Sequence, residues 1–372
     1  MSIDILVGDC REILKELPEN KFHTCVTSPP YWGLRDYQTG TWEGGDPDCP
    51  HMRTTKIGKT VKTATGHQAM HEQGNVVGDA IYKSECPKCG AIRKDLQIGL
   101  EESPEEYVKA LVGVFREVWR VLRDDGTVWL NLGDSYCGTG HKGDHKDPKH
   151  KEGRNSQSFA INNKIQGLKQ KDLVGIPWRV AFAMQQDGWY LRQDIIWNKP
   201  NPMPESVQDR CTKSHEYIFL LTKKPRYYYD SESIKEKTST FDNTNRDRDV
   251  SKLNNTPGRT RMAGLKTNQY ETKNKRSVWT VSPKPYKEAH FAVYPTELIE
   301  PCILAGCPIG GNVLDPFGGS ATTGLVSDRL DRNATLIELN KDYAKIGTDR
   351  LNNDAPLFSS IQTIDRKYEN NV

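Results

Sequence analysis

The stretch that decides the fold is Ile3–Pro30, IDILVGDCREILKELPENKFHTCVTSPP. IDILVGD has the composition of a short buried strand and ends in Gly8-Asp9. CREILKELP has the spacing of an amphipathic helix, which Pro18 closes. HTCVTSPP is a second buried strand that two prolines end. A strand, a helix and a second strand in this order predict parallel pairing.

The same alternation continues along the chain. Ser103 caps a helix that begins with Pro104, and Asp125-Gly126 turns into the strand TVWLNLGD. The helix GIPWRVAFAMQQDG and the strands YLRQDIIWNK and YIFLLTK follow. The C-terminal part repeats the pattern with NVLDPF, a helix from Ser320, ATLIEL and KDYAKIGTDRL. We therefore predict an α/β fold whose mostly parallel sheet carries helices on both faces.

Composition narrows the class of protein. Of 372 residues, 35% are hydrophobic and 27% are charged, with a formal net charge of +3. This balance excludes a disordered polyelectrolyte and a strongly basic, histone-like protein. No run approaches the roughly 18 apolar residues of a membrane span, and the first residues lack the basic start of a signal peptide. We expect a cytosolic protein without a membrane partner.

Polar insertions interrupt the regular pattern at about 38–97, 137–172 and 223–287. For much of 137–172, a disordered surface is as good an interpretation as any other. The predicted division is core at 1–37, an insertion at 38–97, core at 98–222 with the polar loop 137–172, a target-recognition region at 223–287, core at 288–351 and a C-terminal tail at 352–372.

The sharpest motif is TSPPYW (27–32), at the end of a predicted buried strand. Two prolines cannot continue a ladder, so the chain leaves the sheet as a stiff loop, where α/β folds place ligands. This loop offers the Ser28 hydroxyl and the Pro29 carbonyl as acceptors and the Tyr31 ring as a stacking surface. Together these groups predict a pocket for a planar group that bears an amine.

A second motif, DPFGGS (315–320), lies between a predicted strand and a helix. Its glycines allow backbone N–H groups and the helix N-terminus to approach a ligand. One strand later Glu338 ends ATLIEL, where a carboxylate can accept both hydroxyls of a ribose. No P-loop lysine is present to indicate a triphosphate.

TSPPYW followed far downstream by DPFGGS and IEL resembles the DNA amino-methyltransferases that use S-adenosylmethionine, in the subgroup whose catalytic motif precedes the cofactor motif. The resemblance covers most of the chain and implies a methyltransferase-type sheet. The catalytic residues that it implies are Ser28, Pro29, Pro30 and Tyr31. The cofactor-binding residues that it implies are Asp9, Asp315, Phe317, Gly318, Gly319, Ser320 and Glu338.

Some of these positions allow a second interpretation. Asp9 is also placed to cap the helix that follows it, and Phe317 suits core packing alone. HFAVYPTEL (290–298) resembles the family's element beside the methionine end of the cofactor, but only in part. Pro301-Cys302 lies in an apolar helical pattern, so we interpret it as structural and not as a nucleophile.

The resemblance implies that a nucleotide rotates out of duplex DNA into the Tyr31 pocket, where its exocyclic amine receives the methyl group directly. Serine before Pro-Pro is commoner in cytosine-N4 members of the family, so Ser28 favours cytosine N4. Adenine N6, another nucleic acid, and an inactive core that only binds DNA are the alternatives. The expected partner is double-stranded DNA, and a companion restriction endonuclease is a candidate. The enzyme is expected to be a monomer or a homodimer.

The polar cysteines suggest a metal. CPKC (86–89) has the spacing of a zinc knuckle, and CPH (49–51) supplies the other half across the insertion. The predicted structural zinc ligands are Cys49, His51, Cys86 and Cys89. His67 and His71 are alternative ligands, and reduced thiols in a loop are the alternative to a metal. Zinc would pin an insertion too polar to form its own core.

The region 223–287 has interleaved aromatic and basic residues, which suit contacts to bases and phosphates. The aromatic candidates are Tyr227, Tyr228, Tyr229, Phe241 and Tyr270. The basic candidates are Arg226, Arg246, Arg259 and Arg261. For any one basic residue, a solvated surface position is at least as good an interpretation.

Overall fold

The computed structural model describes residues 1–33, 37, 39–51, 84–137, 167–237, 272–284, 293–354 and 360–366. The helices are α1 (Cys10–Glu16), α2 (Pro104–Val121), α3 (Ile176–Gln186), α4 (Thr296–Gly306), α5 (Thr322–Arg329) and α6 (Lys341–Asp354). The strands are β1 (Ser2–Val7), β2 (Phe22–Thr27), β3 (Thr41–Glu43), β4 (Ile92–Lys94), β5 (Leu122–Leu132), β6 (Tyr190–Asn198), β7 (His215–Thr222), β8 (Glu236–Lys237), β9 (Thr272–Lys273), β10 (Val278–Thr280), β11 (Asn312–Asp315), β12 (Asn333–Glu338) and β13 (Ser360–Asp365).

Nine strands form one sheet in the order β10-β6-β7-β5-β2-β11-β12-β1-β13. Neighbouring strands pair in parallel except at β7, which runs antiparallel to β5 and β6. The predicted mostly parallel sheet is therefore confirmed. Because parallel strands share a direction, the carboxyl ends of β1, β2, β5, β11 and β12 lie along one edge, which we call the carboxyl edge.

Helices cover both faces of the sheet, as predicted. On one face α1, α2 and α3 enclose a buried cluster that includes Phe22 and Phe115. On the other face α4, α5 and α6 enclose a cluster that includes Trp129 and Ile303. Alternation along β1 explains the division, because Leu6 belongs to the first cluster and its neighbours to the second. In the part of the chain that the structure describes, no helix is both long and apolar enough to cross a membrane.

Two boundaries differ from the prediction. Strand β5 begins at Leu122, and its register with β2 shifts before Thr127, so the predicted Asp125-Gly126 turn falls within an irregular part of the strand. The predicted tail 352–372 is corrected, because Ser360–Asp365 forms an edge strand parallel to β1. Its apolar signal is weak, since both isoleucines of this strand are only half-buried.

The insertion 38–97 contains an antiparallel hairpin of β3 and β4. Residues 52–83 of this insertion, and most of the polar loop 137–172, lie outside the described residues.

Candidate active site

The predicted site residues meet at the carboxyl edge. Ser28 follows β2, Asp315 ends β11, Glu338 ends β12, and Asp9 follows β1. In the sheet β2, β11, β12 and β1 are consecutive neighbours. The catalytic and cofactor motifs, which stand at opposite ends of the sequence, are therefore adjacent in the fold. Ligands of open α/β sheets bind at such an edge.

The loop Ser28–Tyr31 leaves the sheet as its two prolines require. Pro29 is buried, and the carbonyl of Pro30 accepts a hydrogen bond from the Tyr107 hydroxyl at 2.8 Å. Among the described residues, no hydrogen bond reaches the carbonyl of Pro29. Of the two proline carbonyls, that of Pro29 is therefore the acceptor left for a ligand.

Two residues that the sequence prediction missed join Ser28 to Tyr31. They are Asn131, near the end of β5, and Glu216, near the start of β7. The Ser28 hydroxyl lies 3.2 Å from Asn131 Oδ1, and the Tyr31 hydroxyl lies 3.1 Å from that oxygen and 2.7 Å from Glu216 Oε2. The two residues meet because β7 is antiparallel and its start lies beside the end of β5. Polar residues at the ends of apolar strands were the available signal.

The side-chain amide of Asn131 has a defined orientation. Its Nδ2 group donates to the Tyr217 carbonyl at 3.1 Å and lies 3.4 Å from Glu216 Oε2, so Oδ1 faces Ser28. The Ser28 hydroxyl donates its single hydrogen to Oδ1, which leaves the lone pairs of Ser28 Oγ available. Toward a ligand, Ser28 is therefore an acceptor.

Glu216 carries the negative charge of this network. It pairs with Lys199, whose ammonium group lies 4.2 Å from the centroid of the Trp197 ring. Both charged side chains are largely buried, at 15% and 20% exposed. Burial, and then the nearby Glu216 carboxylate, raises the pKa of Tyr31 well above its usual value. The Tyr31 hydroxyl therefore remains a donor and does not act as a base near neutral pH.

Asp315 is fully buried and accepts four hydrogen bonds from the protein. One carboxylate oxygen accepts from the Thr27 hydroxyl at 2.6 Å and from the Phe317 N–H at 3.0 Å. The other accepts from the hydroxyls of Tyr294 at 3.0 Å and Thr323 at 2.6 Å. Burial raises the pKa of Asp315, and these hydrogen bonds oppose the rise. The carboxylate thus ties the catalytic strand to the glycine-rich loop.

Tyr294 is a further residue whose role the sequence did not predict. It belongs to the partly matching segment HFAVYPTEL, of which residues 293–298 are described. Its hydroxyl contacts both Asp315 and Thr323, and burial raises its pKa well above the usual value. The segment is therefore joined to the cofactor motif through this hydroxyl.

The glycine-rich loop lies close against β12. The N–H of Gly318 donates to the Ile337 carbonyl at 2.8 Å, and a Cβ at Gly318 would lie 3.0 Å from the Leu336 Cβ. Gly319 has a φ of +50°, and its N–H donates to Glu338 Oε2 at 2.7 Å. The two glycines thus allow the backbone to turn beside the Glu338 carboxylate.

Ser320 and Phe317 face the protein. Ser320 is 4% exposed, and its hydroxyl and carbonyl accept hydrogen bonds from Arg350 at 3.3 and 3.1 Å. Phe317 is half-buried and packs against the core, which agrees with the packing interpretation. Helix α5 begins at Thr322, later than predicted, because Ala321 takes a left-handed conformation in front of it.

Glu338 has a strongly perturbed carboxyl group. Oε1 accepts from the Asn340 N–H at 2.8 Å, and Oε2 accepts from Gly319. Burial raises the pKa of Glu338 to about 7, although both N–H groups lower it. Glu338 therefore changes charge near neutral pH.

Asp9 caps α1, as the second interpretation proposed. Its side chain accepts from the Arg11 N–H at 2.9 Å and forms a bidentate pair with the Arg11 guanidinium, at 2.6 Å for the shortest distance. The carboxylate is 10% exposed and faces the carboxyl edge beside β12. Capping does not by itself exclude a contact with a ligand.

The four predicted metal ligands lie together, with their ligand atoms within 4.8 Å of one another. The sulfur atoms of Cys49 and Cys86 are 3.7 Å apart, and Cys89 Sγ lies 3.5 Å from His51 Nδ1. In the tight turn that presents this pair, the Cys86 carbonyl accepts from the Cys89 and Gly90 N–H groups. The alternative ligands His67 and His71 lie outside the described residues.

The described start of the region 223–287 lies at the opposite edge of the sheet. Lys223 Nζ donates to the Leu122 carbonyl at 2.8 Å, and the Tyr228 N–H donates to the Asp125 carbonyl. These partners lie at the start of β5, a strand length of about 20 Å from its carboxyl end. This position argues against base contacts by Arg226, Tyr227, Tyr228 and Tyr229. The other candidates, Arg246, Arg259, Arg261, Phe241 and Tyr270, lie outside the described residues.

A mostly parallel sheet with an amine-accepting loop and a glycine-rich loop at one edge defines an α/β enzyme of methyltransferase type. A DNA methylase family model, that of the N6/N4 methyltransferases, matches residues 22–349. The chain belongs to this family and is an S-adenosylmethionine-dependent DNA amino-methyltransferase.

Relatives agree with this membership. The type II methyltransferase M.SmaI of Serratia marcescens is 43% identical over 350 residues, which cover 94% of this chain and 91% of that protein. M.Cfr9I of Citrobacter freundii, also a type II methyltransferase, is 40% identical over 349 residues, with 92% and 86% covered.

Solved structures share the fold. The cytosine-N4-specific PvuII DNA methyltransferase has a TM-score of 0.53 at 17% identity, with 97% of this chain and 95% of that chain covered. A DNA modification methylase of Thermus thermophilus, TTHA0409, solved in complex with S-adenosyl-L-methionine, has a TM-score of 0.51 at 20% identity, with 98% and 100% covered.

Proposed function

We propose that this enzyme methylates the N4 amine of a cytosine that has rotated out of duplex DNA. The observation that carries the proposal is the orientation of Ser28, whose hydroxyl donates to Asn131 and presents a neutral acceptor to the pocket. Serine before Pro-Pro is commoner in the cytosine-N4 members of the family. The PvuII enzyme, which shares this fold, is cytosine-N4-specific.

Ser28 and Pro29 act on the amine itself. The lone pair of an exocyclic amine is delocalised into the ring. Hydrogen bonds from its two N–H groups to Ser28 Oγ and the Pro29 carbonyl favour a more tetrahedral nitrogen, whose lone pair can form the new N–C bond. When bound, S-adenosylmethionine supplies an electrophilic methyl group on its sulfonium. The nitrogen loses a proton only after it has become cationic, so the site needs no strong base.

Tyr31 and Pro30 shape the pocket for the rotated base. Rotation out of the stack costs a few kcal/mol, which stacking on an aromatic ring offsets in part. We assign this stacking surface to Tyr31, whose hydroxyl is held by Glu216 at 2.7 Å. The Pro30 carbonyl fixes the loop through Tyr107.

The cofactor-binding residues divide into contacting and positioning groups. We assign the ribose hydroxyls to Glu338 and the adenine amine to Asp9, while Gly318 and Gly319 leave room for the ligand. Asp315, Phe317 and Ser320 position the loop, because their polar atoms or ring already contact the protein.

The product identifies the target base. We would incubate the enzyme with S-adenosylmethionine and unmethylated duplex DNA and analyse the nucleosides by mass spectrometry. N4-methylcytosine is the expected product. N6-methyladenine would reject the cytosine assignment and retain the amine mechanism, whereas no methylated base would reject both for duplex DNA. The Ser28→Ala variant is the matched control for activity from a contaminating enzyme.

Cofactor binding is expected to strengthen as the pH rises through about 7, where Glu338 becomes ionised. Ribose hydroxyls donate to a carboxylate, so binding favours the charged form and releases a proton at lower pH. Calorimetry between pH 6 and 8 would measure this as a rising affinity. The Glu338→Gln variant should bind more weakly, with a flat profile. An equal slope in that variant would show that another group titrates.

DNA is expected to approach the carboxyl edge. The loop 199–214 joins β6 to β7 at this edge and begins at Lys199 of the catalytic network. It carries the basic residues Arg210 and Lys213 and the 87% exposed Met203. We therefore place part of the DNA-facing surface on this loop. A type II companion endonuclease and a monomeric or homodimeric state remain proposals, supported for the endonuclease by the type II relatives.

The cysteine cluster is proposed to hold one structural zinc ion. Zinc–sulfur bonds of about 2.3 Å and zinc–nitrogen bonds of about 2.0 Å in a tetrahedron place two sulfurs about 3.8 Å apart, and sulfur and nitrogen about 3.5 Å apart. The observed Cys49–Cys86 and Cys89–His51 separations are 3.7 and 3.5 Å. Three thiolates and one imidazole form a closed ligand set, which favours a structural role.

A further inference from the structure

The metal cluster closes the far end of a two-stranded arm, which we define as residues 37, 39–51 and 84–97. Strands β3 and β4 form its middle, and a bridge between Glu85 and Ile92 leads to the cysteine turn. The Arg93 N–H also donates to the Ser84 carbonyl at 2.6 Å. The cysteine turn is therefore hydrogen-bonded to β4.

Below β3 and β4 the two sides of the arm remain joined by side chains. Asp95 accepts from the Thr39 hydroxyl at 2.6 Å and from the Gln97 N–H at 3.0 Å. Its other oxygen pairs with Arg93 at 3.0 Å. The Tyr37 N–H donates to Gln97 Oε1 at 2.7 Å. The pairing of the arm thus continues from the metal ligands to Tyr37 and Gln97.

The near end of the arm contacts the cofactor-binding residues at two points. The Leu96 carbonyl accepts from the Arg11 guanidinium at 2.9 Å, and the same guanidinium holds Asp9. The Tyr37 carbonyl accepts from Asn340 Nδ2 at 3.1 Å. The N–H of Asn340 donates to Glu338, the proposed ribose ligand. Both proposed polar ligands of the cofactor therefore have an arm contact one residue away.

The arm has little apolar packing of its own. The residues of β3 and β4 are half-buried or exposed, and Ile92 is 56% exposed. A two-stranded hairpin without a hydrophobic face is at best marginally stable in water. Cys86 and Ala91 are buried beside the cluster, so the best-packed part of the hairpin is the part that the metal would hold.

We infer that zinc at the cysteine cluster orders the arm and thereby braces Asp9 and Glu338, so that metal occupancy sets the affinity for S-adenosylmethionine. This inference rests on the proposed metal site. A cofactor that requires an ordered rim binds more weakly by the fraction of molecules in which the rim is ordered. Coupling between two sites is reciprocal, so the cofactor must raise zinc affinity by the same factor.

Metal removal is the test. Zinc content of the purified enzyme is measured by elemental analysis, and one equivalent is expected. The metal is then stripped with a chelator at a temperature where circular dichroism shows an unchanged fold. Calorimetry without DNA should show that stripping weakens S-adenosylmethionine binding by about tenfold, within the usual range of coupling between sites. Restoring zinc should restore the affinity.

Reciprocity is measured on the unmodified protein. Zinc affinity is determined by competition with a chromophoric chelator, with and without saturating S-adenosylmethionine. The two affinities should differ by the same factor as the cofactor affinities of the loaded and stripped protein. This second measurement does not depend on the folding of any variant.

Variants separate the brace from general stability. Cys86→Ser removes a ligand and should reproduce the stripped protein, whereas Cys211→Ser changes an exposed cysteine outside the cluster and should have no effect. Asp95→Asn retains all four ligands and should keep zinc while weakening cofactor binding.

The outcomes are distinct. Absence of zinc would overturn the metal site and this inference together. Bound zinc whose removal leaves cofactor affinity unchanged would overturn the brace alone. Methyl transfer by the zinc-loaded enzyme is measured separately, so failure of the proposed cytosine specificity is distinguishable from both.

Discussion

Replacing Tyr31 with alanine is expected to slow methyl transfer by at least about 100-fold and to leave the Kd for S-adenosylmethionine within about twofold. The ring is proposed to stack on the target base, and such stacking is worth about 1–3 kcal/mol. The variant also loses the hydroxyl that contacts Asn131 and Glu216, so the orientation of Ser28 loosens. Single-turnover kinetics would measure transfer, and calorimetry would measure cofactor binding.

Two further variants separate the ring from the hydroxyl. Tyr31→Phe retains the ring and loses a hydrogen bond to a charged group, so a loss of about tenfold is expected. Gly133→Ala leaves Tyr31 intact, but its Cβ would come within 2.5 Å of the Tyr31 ring and displace it. Gly113→Ala is the control, because a Cβ at that position meets no atom within 4 Å. Equal turnover in Tyr31→Ala and the unmodified enzyme would reject the stacking role.

Asp315→Asn is expected to weaken S-adenosylmethionine binding by at least about 100-fold. The carboxylate accepts four hydrogen bonds, two on each oxygen. An amide offers one acceptor oxygen and places an N–H₂ group against two donors. Hydrogen bonds to charged groups contribute about 1.5–3 kcal/mol each, so the glycine-rich loop should move relative to β2. Calorimetry measures the binding, and thermal unfolding should show a lower Tm.

Asp349→Asn is the matched control, since Asp349 is exposed on α6. Thr27→Val removes a single donor to Asp315 and should weaken binding by about tenfold, which keeps the test available if Asp315→Asn does not fold. A folded Asp315→Asn protein with unchanged cofactor affinity would show that this carboxylate does not position the loop.

The carboxyl-edge motifs were predictable because their chemistry is local. Two prolines after a buried strand force TSPPYW out of the sheet, and the glycines of DPFGGS permit a turn that other residues would hinder. The spacing of CPKC likewise requires only one tight turn. Each prediction depends on residues a few positions apart, so the printed order of residues contains the information.

Asn131 and Glu216 were not predictable in the same way. Each is a polar residue in an apolar strand, and the sequence does not state that β5 and β7 pair in opposite directions. The same antiparallel strand carries residues 223–230 to the edge away from Ser28, where the sequence prediction had placed DNA contacts. The direction of one strand therefore decided both corrections.

By itself the sequence determined the class of fold, the two motifs and the candidate metal ligands, since periodicity, turn chemistry and ligand spacing act over short distances along the chain. Only the tertiary structure decided which residues orient Ser28, that Asp315 is enclosed by protein donors, and that the arm reaches Asp9 and Glu338. These facts depend on strand order and direction. Contacts between residues hundreds of positions apart follow from the packing of the whole chain, which no local pattern specifies.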